Sequence, residues 1–450
     1  MQEFRAAFPV QDPPLPVDLF DQSNKPSQET SPPRTPPVDT FSEVDGLQTL
    51  NLVRSDRIDD NEEPLVAVIG CGYVGTQLIG SFSSHYDVLG FDVSKEQLRR
   101  LEDKFRGEKS RVSFTLDPRN LSKATHFLIS VPTLLKADKT IDTSYVRSAL
   151  TNVRKYARPG STVVIESSVA IGMTRQLLGP LAKEKYFFAG MSPERIDPGR
   201  TDPPMHTIPK VISGLDDVVP GSLAAITRLY SRVFDSIVPV STPETAEMTK
   251  LYENCQRMIA ITYANEMADA CVGHGIDPYE VCRAASTKPF GYTPFTPGLG
   301  VGGHCIPVNP YYLMANSSFP LLKMATETIN KPDFEHVERT ETSSEKSSSL
   351  FRPRVLVVGV GFKAGQSHLS NSPGLKLIQT LVDSGRVDVM FADALVEQTA
   401  IPHIPRLDMS DWNKSSLERF DMIIVAFKQK DMDFKVLDEV RNVQIEMWCP

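Results

Sequence analysis

The chain has 450 residues, 23% of them charged, and a formal net charge of -8 at pH 7. This length predicts two or three domains, and the acidic balance argues against the broad basic surface that binds nucleic acid. No apolar run approaches the ~20 residues of a bilayer span and the 6 cysteines form no C-x-x-C pair, so we expect a cytoplasmic protein with no membrane segment or metal site.

The first segment, residues 1–63, is rich in proline and polar residues and has no sustained apolar period. A segment of this composition cannot bury enough apolar surface to offset the entropy lost on ordering. It also lacks the basic start and apolar stretch of a signal peptide. We predict a disordered arm, and we favour a flexible leader over a docking role.

Residues 64–240 alternate short apolar strands with helical stretches, a pattern typical of a parallel sheet covered by helices on both faces. The clearest predicted strands are 65–69, 87–91, 126–131 and 162–165. We therefore predict an α/β fold that begins with a Rossmann-type domain.

The sequence GCGYVG follows the first of these strands and opens a helical stretch. In that context the first glycine permits the tight turn, the second lets the backbone approach a pyrophosphate, and the third allows close helix packing. A glycine-rich turn can also be purely structural, but strand, turn and helix are in register here. The predicted cofactor-binding residues of this turn are Gly70, Gly72, Tyr73, Val74 and Gly75.

Asp92 ends the next predicted strand. A carboxylate at this place accepts hydrogen bonds from a ribose diol and repels a 2′-phosphate. We therefore predict that the cofactor is NAD rather than NADP.

A long helix is predicted in the central region, residues 241–336. Pro243 follows cap candidates, and apolar residues recur at spacings of three and four until Gly273, which gives about 30 helical residues. Asp277 and Pro278 then begin another helix. The apolar stripe of the long helix predicts a core contact first and a subunit interface second.

Two features of this region carry possible chemistry. Lys250 and Asn254 lie four residues apart, so their side chains project from one helix face. Cys305 lies in the glycine-rich stretch GLGVGGHC, where backbone can pass close to a ligand. Taken alone, Cys305 is more typical of an inert buried cysteine than of a nucleophile, and we assign no base role to His304.

Residues 337–353 are polar and serine-rich, which predicts a flexible linker. A further α/β unit, residues 354–450, is expected after it. Its predicted features are a strand and turn over 354–361, a helix capped at Ser372, and strands over 387–391 and 422–427.

Four stretches, SPERIDPG (192–199), AEMTKLYEN (246–254), KPFGYTPFTPGLGVGGHCIP (288–307) and NPYYL (309–313), closely resemble the UDP-glucose and UDP-N-acetylsugar 6-dehydrogenase family. The resemblance runs from about residue 64 to residue 427. The sequences SPERIDPG and GGHCIP are more similar to the UDP-N-acetylglucosamine or UDP-N-acetylmannosamine branch of the family than to the UDP-glucose branch.

The resemblance implies an NAD-binding domain, a homodimer formed through the long helix, and a C-terminal domain that binds a UDP-sugar. It also implies a four-electron oxidation of the sugar C6 alcohol to a carboxylate. In that reaction Cys305 attacks the aldehyde, Lys250 stabilises negative charge on the C6 oxygen, and Asn254 positions the lysine or a water.

Further roles follow from the resemblance alone. Thr133 and Glu194 organise the water, although Thr133 alternatively only ends a strand and Glu194 alternatively only pairs with Arg195. The implied cofactor contacts include Thr133 and Glu166. The implied substrate contacts are Lys250, Asn254, Gly302 and Lys363.

The sequence departs from the family pattern in two places. Asn309 replaces the carboxylate of the pattern C-I-P-x-D, which removes a negative charge near the lysine or water. The C-terminal stretch FKAGQSHLSNSP, residues 362–373, keeps Lys363 but has Ser370 in place of an arginine and lacks both acids; the chain also ends at Pro450 without the usual arginine-bearing tail. We expect weaker contacts to the UDP phosphates.

Three hypotheses remain open from the sequence. The leading one is an active enzyme that forms two NADH per UDP-sugar. The second is a weak or non-catalytic member that binds NAD and acts as a regulatory subunit, as the change at Asn309 and Ser370 suggests. The third is an ordinary two-electron dehydrogenase that would be indifferent to Cys305→Ser.

Overall fold

The computed structural model describes residues 63–107, 110–200, 202–329 and 352–449. The predicted arm and linker lie outside these ranges, apart from residues 63, 352 and 353. The strands of the first part are β1 Leu65–Ile69, β2 Asp87–Phe91, β3 Val112–Thr115, β4 His126–Ile129, β5 Leu134–Leu135, β6 Ile141–Asp142, β7 Thr162–Ile165, β8 Phe188–Met191, β9 Lys210–Gly214 and β10 Ile237–Pro239. Its helices are α1 Tyr73–Phe82, α2 Lys95–Lys104, α3 Ser144–Tyr156, α4 Met173–Lys185 and α5 Ser222–Tyr230.

The central helices are α6 Pro243–Val272, α7 Pro278–Ala285, α8 Asn309–Met314 and α9 Pro320–Ile329. The last part contains β11 Arg354–Val358, α10 Pro373–Ser384, β12 Asp388–Ala392, α11 Lys414–Leu417, β13 Met422–Val425, α12 Val436–Glu439 and β14 Gln444–Met447. Short 3-10 helices cover Pro118–Lys123, Met205–Thr207, Gln398–Ala400 and Met409–Asp411.

An eight-stranded sheet with the order β10-β9-β8-β7-β4-β1-β2-β3 forms the first part. Its strands pair in parallel except that β9 runs antiparallel to β8. The register places Met191 opposite Ser213, so the start of β9 extends past the carboxyl end of β8. Lys210, the first residue of β9, therefore lies at the edge where the parallel strands end.

Alternation along the central strand builds one apolar core on each face of this sheet. Ala67 and Ile69 join the cluster that α3, α4 and α6 also enter. Val66 and Val68 join the cluster that α1 and α5 enter. The predicted doubly covered parallel sheet is thereby confirmed.

The long helix α6 has the predicted length, and its start has a local cause. The Thr242 side chain accepts a hydrogen bond from the Thr245 amide, and Pro243 occupies the first turn, where a missing N–H costs nothing. Leu251 and Met258 are buried in the first core. Among the described residues, no helix is both long and apolar enough to cross a membrane.

The last part contains a parallel sheet with the order β12-β11-β13-β14, which confirms a second Rossmann-like unit. Ser372 caps α10 as predicted. The predicted strand ends are wrong by a few residues: β4 stops at Ile129, and the Ser130 hydroxyl after it donates to the Gly70 carbonyl at 2.7 Å. Similarly, β12 begins at Asp388 and β13 ends at Val425.

Candidate active site

The first glycine-rich turn, between β1 and α1, has the shape that a dinucleotide requires. Gly70 has φ +90°, and a Cβ atom there would lie 2.7 Å from the Ser130 carbonyl oxygen. A Cβ atom at Gly75 would overlap the Gly70 carbonyl, so only glycine fits either position. At Gly72, by contrast, none of the described residues beyond its chain neighbours comes within 4 Å of a Cβ position.

The start of α1 is open to an anion. Gly72 is the N-cap, and within the described chain no side chain caps the helix there. First-turn N–H groups and the helix dipole favour a bound phosphate. The residues of this turn therefore fit the pyrophosphate of a dinucleotide.

Asp92, directly after β2, borders the same turn. Its two carboxylate oxygens accept hydrogen bonds from the Cys71 amide at 2.7 Å and the Ser94 amide at 2.8 Å. Each oxygen can accept more than one bond, so the fixed carboxylate still suits a ribose diol. Its placement supports the predicted role without testing it.

The two side chains within the glycine-rich turn point to different places. Val74 packs against the second core, so only its backbone can meet a cofactor. The Tyr73 hydroxyl accepts a hydrogen bond from the Gly199 amide at 3.3 Å. Next to it lies a cavity of about 360 Å³ whose lining includes Tyr73, Gln77, Asp197, Arg200 and Gln366.

Lys250 on α6 and Cys305 interact electrostatically, although 55 residues of chain separate them in sequence. Lys250 is buried on α6. Burial lowers its pKa, and the opposing interactions that raise it come from Cys305 first and Glu194 second. A half-buried thiol beside a buried ammonium is the arrangement that a nucleophilic cysteine requires.

The Asn254 side chain belongs to a short chain of hydrogen bonds with Asn309 and Arg257. Its side-chain nitrogen donates to the Asn309 side-chain oxygen, and its own oxygen accepts from Arg257. Both asparagines are buried. The Cys305 carbonyl accepts the Asn309 amide at 2.9 Å, which ties Asn309 to the cysteine turn.

Thr133 lies in the loop after β4, beside the buried hydroxyl of Tyr312 on α8. Burial raises the pKa of Tyr312 to about 12, and the neighbouring Thr133 side chain lowers it in part. Cys305 also interacts with this tyrosine. The Tyr312 hydroxyl has no hydrogen-bond partner within the described chain, so a role of Thr133 beyond ending the strand stays a prediction.

A cluster of buried charges, centred on Lys210, includes the Glu194 carboxylate that interacts with Lys250. The Lys210 ammonium lies 2.7 Å from Glu166 and 2.8 Å from Glu194, and the Tyr230 hydroxyl donates to Glu166. Burial raises the pKa of Glu166 to about 7, although Lys210 opposes the shift. Burial would also raise the pKa of Glu194, but Lys210 and backbone N–H groups outweigh it and lower that pKa.

Two expectations change in view of this cluster. Glu166 is enclosed by protein groups, so its side chain is not placed for direct contact with a cofactor. Glu194 does not pair with the guanidinium of Arg195, which binds Glu253 at 2.5 Å instead; that alternative is wrong.

The C-terminal unit supplies a second wall. Lys363 binds the Asp197 carboxylate at 2.7 Å, which ties the C-terminal unit to the SPERIDPG stretch. A Cβ atom at Gly302 would lie 2.9 Å from Phe362, so this glycine permits close packing. Gly303 donates its amide to the Ser370 carbonyl at 2.8 Å.

Ser370, at the place of the family arginine, pairs with the neighbour of the cysteine. Its hydroxyl lies 2.8 Å from His304 Nε2. Burial lowers the pKa of His304, as does His368. The contact joins the cysteine loop to the C-terminal unit without a permanent charge.

The glycine turn of the C-terminal unit is closed by its own protein. The buried Asp393 carboxylate, after β12, accepts the backbone N–H groups of Val360 at 2.9 Å and Gly361 at 3.2 Å. It also accepts the amides of Leu395 and Val396. These backbone donors are thereby engaged within the protein.

Sequence reasoning missed Lys210, Tyr230, Asp197 and Tyr312. Asp197 and Tyr312 lie in the quoted stretches SPERIDPG and NPYYL but were given no role there. Lys210 and Tyr230 have no periodic or spaced signal: Lys210 reaches the site only because β9 reverses direction. Asp197 meets Lys363 across 166 positions of sequence, which no local motif indicates.

The fold and the first turn define a dinucleotide-binding oxidoreductase, and comparison with known proteins refines that class. Two family models match the chain: the NAD binding domain of the UDP-glucose/GDP-mannose dehydrogenase family over residues 65–234, and the central domain of that family over residues 244–331. The chain is 30% identical to Protein CapL of Staphylococcus aureus over 81% of this chain and 90% of CapL.

Two further relatives agree. A UDP-N-acetyl-D-glucosamine 6-dehydrogenase of Pseudomonas aeruginosa is 32% identical over 72% of this chain and 82% of its own length. The solved structure of a UDP-D-ManNAc dehydrogenase from Pyrococcus horikoshii has a TM-score of 0.73 at 25% identity, covering 85% of this chain and 99% of that one. The chain therefore belongs to the UDP-glucose/GDP-mannose dehydrogenase family. The predicted family, the NAD cofactor and the class of NAD-dependent oxidoreductase are confirmed.

Proposed function

We propose that this protein oxidises the C6 alcohol of a UDP-N-acetylhexosamine to the carboxylate, through a thioester on Cys305. The observation that carries the proposal is the electrostatic interaction of Cys305 with Lys250. Residues 64–240 would bind NAD, residues 241–336 would carry the reacting groups, and residues 354–450 would hold the UDP-sugar.

NAD, when bound, would accept one hydride in each oxidation, and the first NADH would be exchanged for a second NAD before the second oxidation. The Lys250 ammonium would stabilise an alkoxide on the C6 oxygen as the alcohol loses a hydride and a proton. The Cys305 sulfur would then bond to the aldehyde carbon, which gives a thiohemiacetal. Loss of a second hydride and proton leaves the thioester, and water hydrolyses it to the carboxylate and the free thiol.

Lys250 is suited to this role because its burial lowers its pKa. An ammonium that releases its proton easily can donate that proton to the C6 oxygen and take one back as the charge on the oxygen changes from step to step. Glu194 and Thr133 would order the water for hydrolysis. Asn254 would hold Asn309 and the cysteine turn in place through its buried hydrogen bond.

Because position 309 is an asparagine, we expect hydrolysis of the thioester to be the slowest step of the proposed reaction. Its side-chain oxygen accepts a hydrogen bond from Asn254, as a carboxylate would, but it brings no negative charge. A neutral amide cannot draw a proton from the attacking water. We therefore expect the thioester to accumulate.

Intact-mass analysis tests the thioester directly. The protein is mixed with NAD and UDP-N-acetylglucosamine or UDP-N-acetylmannosamine and quenched in acid within seconds. The proposal predicts an adduct of the UDP-uronate acyl group on the Cys305 peptide, which hydroxylamine removes. Cys305→Ser abolishes the adduct, and Cys271→Ser, a matched change at a buried cysteine on α6, leaves it intact.

Asn309→Asp sharpens the same experiment. The aspartate restores a carboxylate beside Asn254, so the thioester is hydrolysed faster and less adduct accumulates. The steady-state rate of NADH formation should rise about tenfold or more. An unchanged steady rate would show that the amide is not the cause of slow hydrolysis.

A second candidate function is an NAD-binding member of the family without turnover. It is favoured by Asn309 and by the engagement of Lys363 with Asp197. It predicts NAD binding by calorimetry with neither adduct nor NADH from any UDP-sugar.

We further propose a cytoplasmic homodimer formed through α6. Tyr252 and Tyr263 on this helix are 69% and 60% exposed, a large apolar area for one helix. A surface groove next to Tyr252 is lined by Met248 and Ile171. Sedimentation at micromolar concentration should give twice the chain mass, and a monomeric mass would contradict the proposal.

A further inference from the structure

Lys210 occupies an unusual place for a lysine. Its side chain is 3% exposed, and its ammonium binds Glu166, which is 0% exposed, and Glu194, which is 6% exposed. Burying ionised groups costs several kcal/mol each unless they are paired. A buried lysine between two buried carboxylates therefore has to be held by both.

The Glu194 carboxylate is fixed at both of its oxygens. One oxygen accepts the backbone amides of Arg195 at 2.7 Å and Ile196 at 3.0 Å. The other accepts Lys210 at 2.8 Å. A carboxylate bound in this way has one orientation and one charge, and that charge acts on Lys250.

The surrounding groups show why the lysine matters. Glu166 faces Lys210 from directly after β7, Tyr230 faces Glu166 from α5, and Lys250 faces Glu194 from α6. The ring of Phe234 lies 5.4 Å from the Lys210 ammonium. Without Lys210, two buried carboxylates would remain in an enclosed space, and at least one would take up a proton.

We propose that Lys210 is a positioning residue, which fixes the orientation and negative charge of Glu194 and so tunes the Lys250 ammonium that meets Cys305. The inference rests on the proposed function and extends it to a residue that contacts neither substrate nor cofactor. Lys210 acts entirely through Glu194.

The test compares Lys210→Met with Lys210→Arg across pH 6 to 9. In the wild type Glu194 stays ionised over this range and kcat shows no acid limb from it. In Lys210→Met, burial moves the Glu194 pKa into the range, so kcat falls about tenfold at the acid end, as a one-unit displacement requires, and recovers as pH rises. Lys210→Arg restores the wild-type profile, and KM for NAD is unchanged in both.

The added change Glu194→Gln identifies the titrating group. In Lys210→Met/Glu194→Gln the acid limb disappears because the side chain at position 194 can no longer take up a proton, although Glu166 remains in both variants. A merely structural role predicts instead that Lys210→Met lowers kcat equally at every pH, or that the limb persists in the double variant; either result overturns the proposal. If Lys210→Met does not fold, Lys210→Met/Glu166→Gln removes the unpaired charge and carries the same test.

A readout without turnover separates this inference from the proposed function. Iodoacetamide modification of the Cys305 peptide, followed by mass spectrometry, reports thiolate at that residue. Lys210→Met should slow it severalfold at pH 7 and Lys210→Arg should restore it. If the wild type forms no NADH, the proposed function fails, whereas an unchanged modification rate in Lys210→Met refutes the role of Lys210.

Discussion

Two glycine-rich turns of this chain follow the first strand of a parallel sheet, and each faces an aspartate that ends the neighbouring strand. At the first turn Asp92 accepts the amide of Cys71 and leaves the space at Gly72 open. At the second turn Asp393 is buried and accepts the amides of Val360 and Gly361. One turn is open to a ligand, and the other is closed by its own carboxylate.

The two turns differ in which backbone amides the aspartate carboxylate accepts. A carboxylate on the turn amides supplies the negative charge that a phosphate would otherwise bring. The second unit therefore gains rigidity and loses that anion site. Under the proposed function, its contacts to a UDP-sugar would come from side chains outside the turn.

The largest expected effect comes from closing the open turn. Gly72→Val places a branched side chain where the pyrophosphate would lie, and we expect NAD affinity measured by calorimetry to fall by about a hundredfold or more. The unfolding temperature should stay within about 2 °C, because the space there is empty of protein atoms of the described chain beyond the neighbouring residues.

Gly361→Ala is the matched change in the closed turn. A Cβ atom there would overlap the Gln366 carbonyl, so the variant should lose stability while NAD affinity is kept. Equal loss of NAD binding in both variants would contradict the contrast between the turns.

The next effect concerns the closed turn itself. Asp393→Asn keeps the shape of the side chain but replaces a charged acceptor of several buried N–H groups, so we expect about 2 to 3 kcal/mol less free energy of unfolding in urea titrations. Asp92→Asn, the equivalent change at the open turn, should cost less than about 1 kcal/mol because that carboxylate is partly exposed. Equal losses in free energy of unfolding would mean that the two aspartates stabilise their turns to the same extent.

Asp92→Asn should instead act on the cofactor. An amide still accepts hydrogen bonds but neither binds a ribose diol as strongly nor repels a 2′-phosphate. We expect about tenfold weaker NAD binding and a smaller preference over NADP. Calorimetry with both cofactors measures it, and an unchanged NAD to NADP ratio would remove Asp92 from the cofactor site.

The smallest effect tests the side-chain contacts of the second unit. Ser370→Arg adds a cation to the loop that touches His304, and at an exposed site such a charge contributes up to about 1 kcal/mol. UDP-sugar affinity should therefore rise about fivefold and fall again with salt. Ser370→Gln, of similar reach but neutral, should leave affinity unchanged; an equal gain there would exclude a charge effect.

Local signals predict much of this molecule. The Gly70 turn, the cap at Thr242 and the apolar stripe of α6 are all encoded within a few residues, and the structure has them in place. Helix spacing and the glycine-rich stretch singled out Lys250 and Cys305, and the resemblance added their roles and Glu194; Lys250 interacts electrostatically with both other residues. Their roles remain predictions until a variant is measured.

The rest depends on contacts between distant parts of the chain. Lys210 meets Glu194 only through the reversed strand β9, and Lys363 meets Asp197 across the two α/β units. The second glycine turn shares the first two glycines of the pattern, but Ala364 stands at the place of Gly75, and the buried Asp393 accepts its amides. No periodicity or spacing in the sequence indicates the contacts of Lys210 and Lys363.

The most direct test of the central claim is the amount of NADH formed per mole of UDP-N-acetylglucosamine, UDP-N-acetylmannosamine and UDP-glucose, with the charge of the product followed by ion exchange. The proposed function predicts two NADH and one added carboxylate from one of the two N-acetylated sugars. One NADH per sugar, or none with NAD still bound, would contradict it.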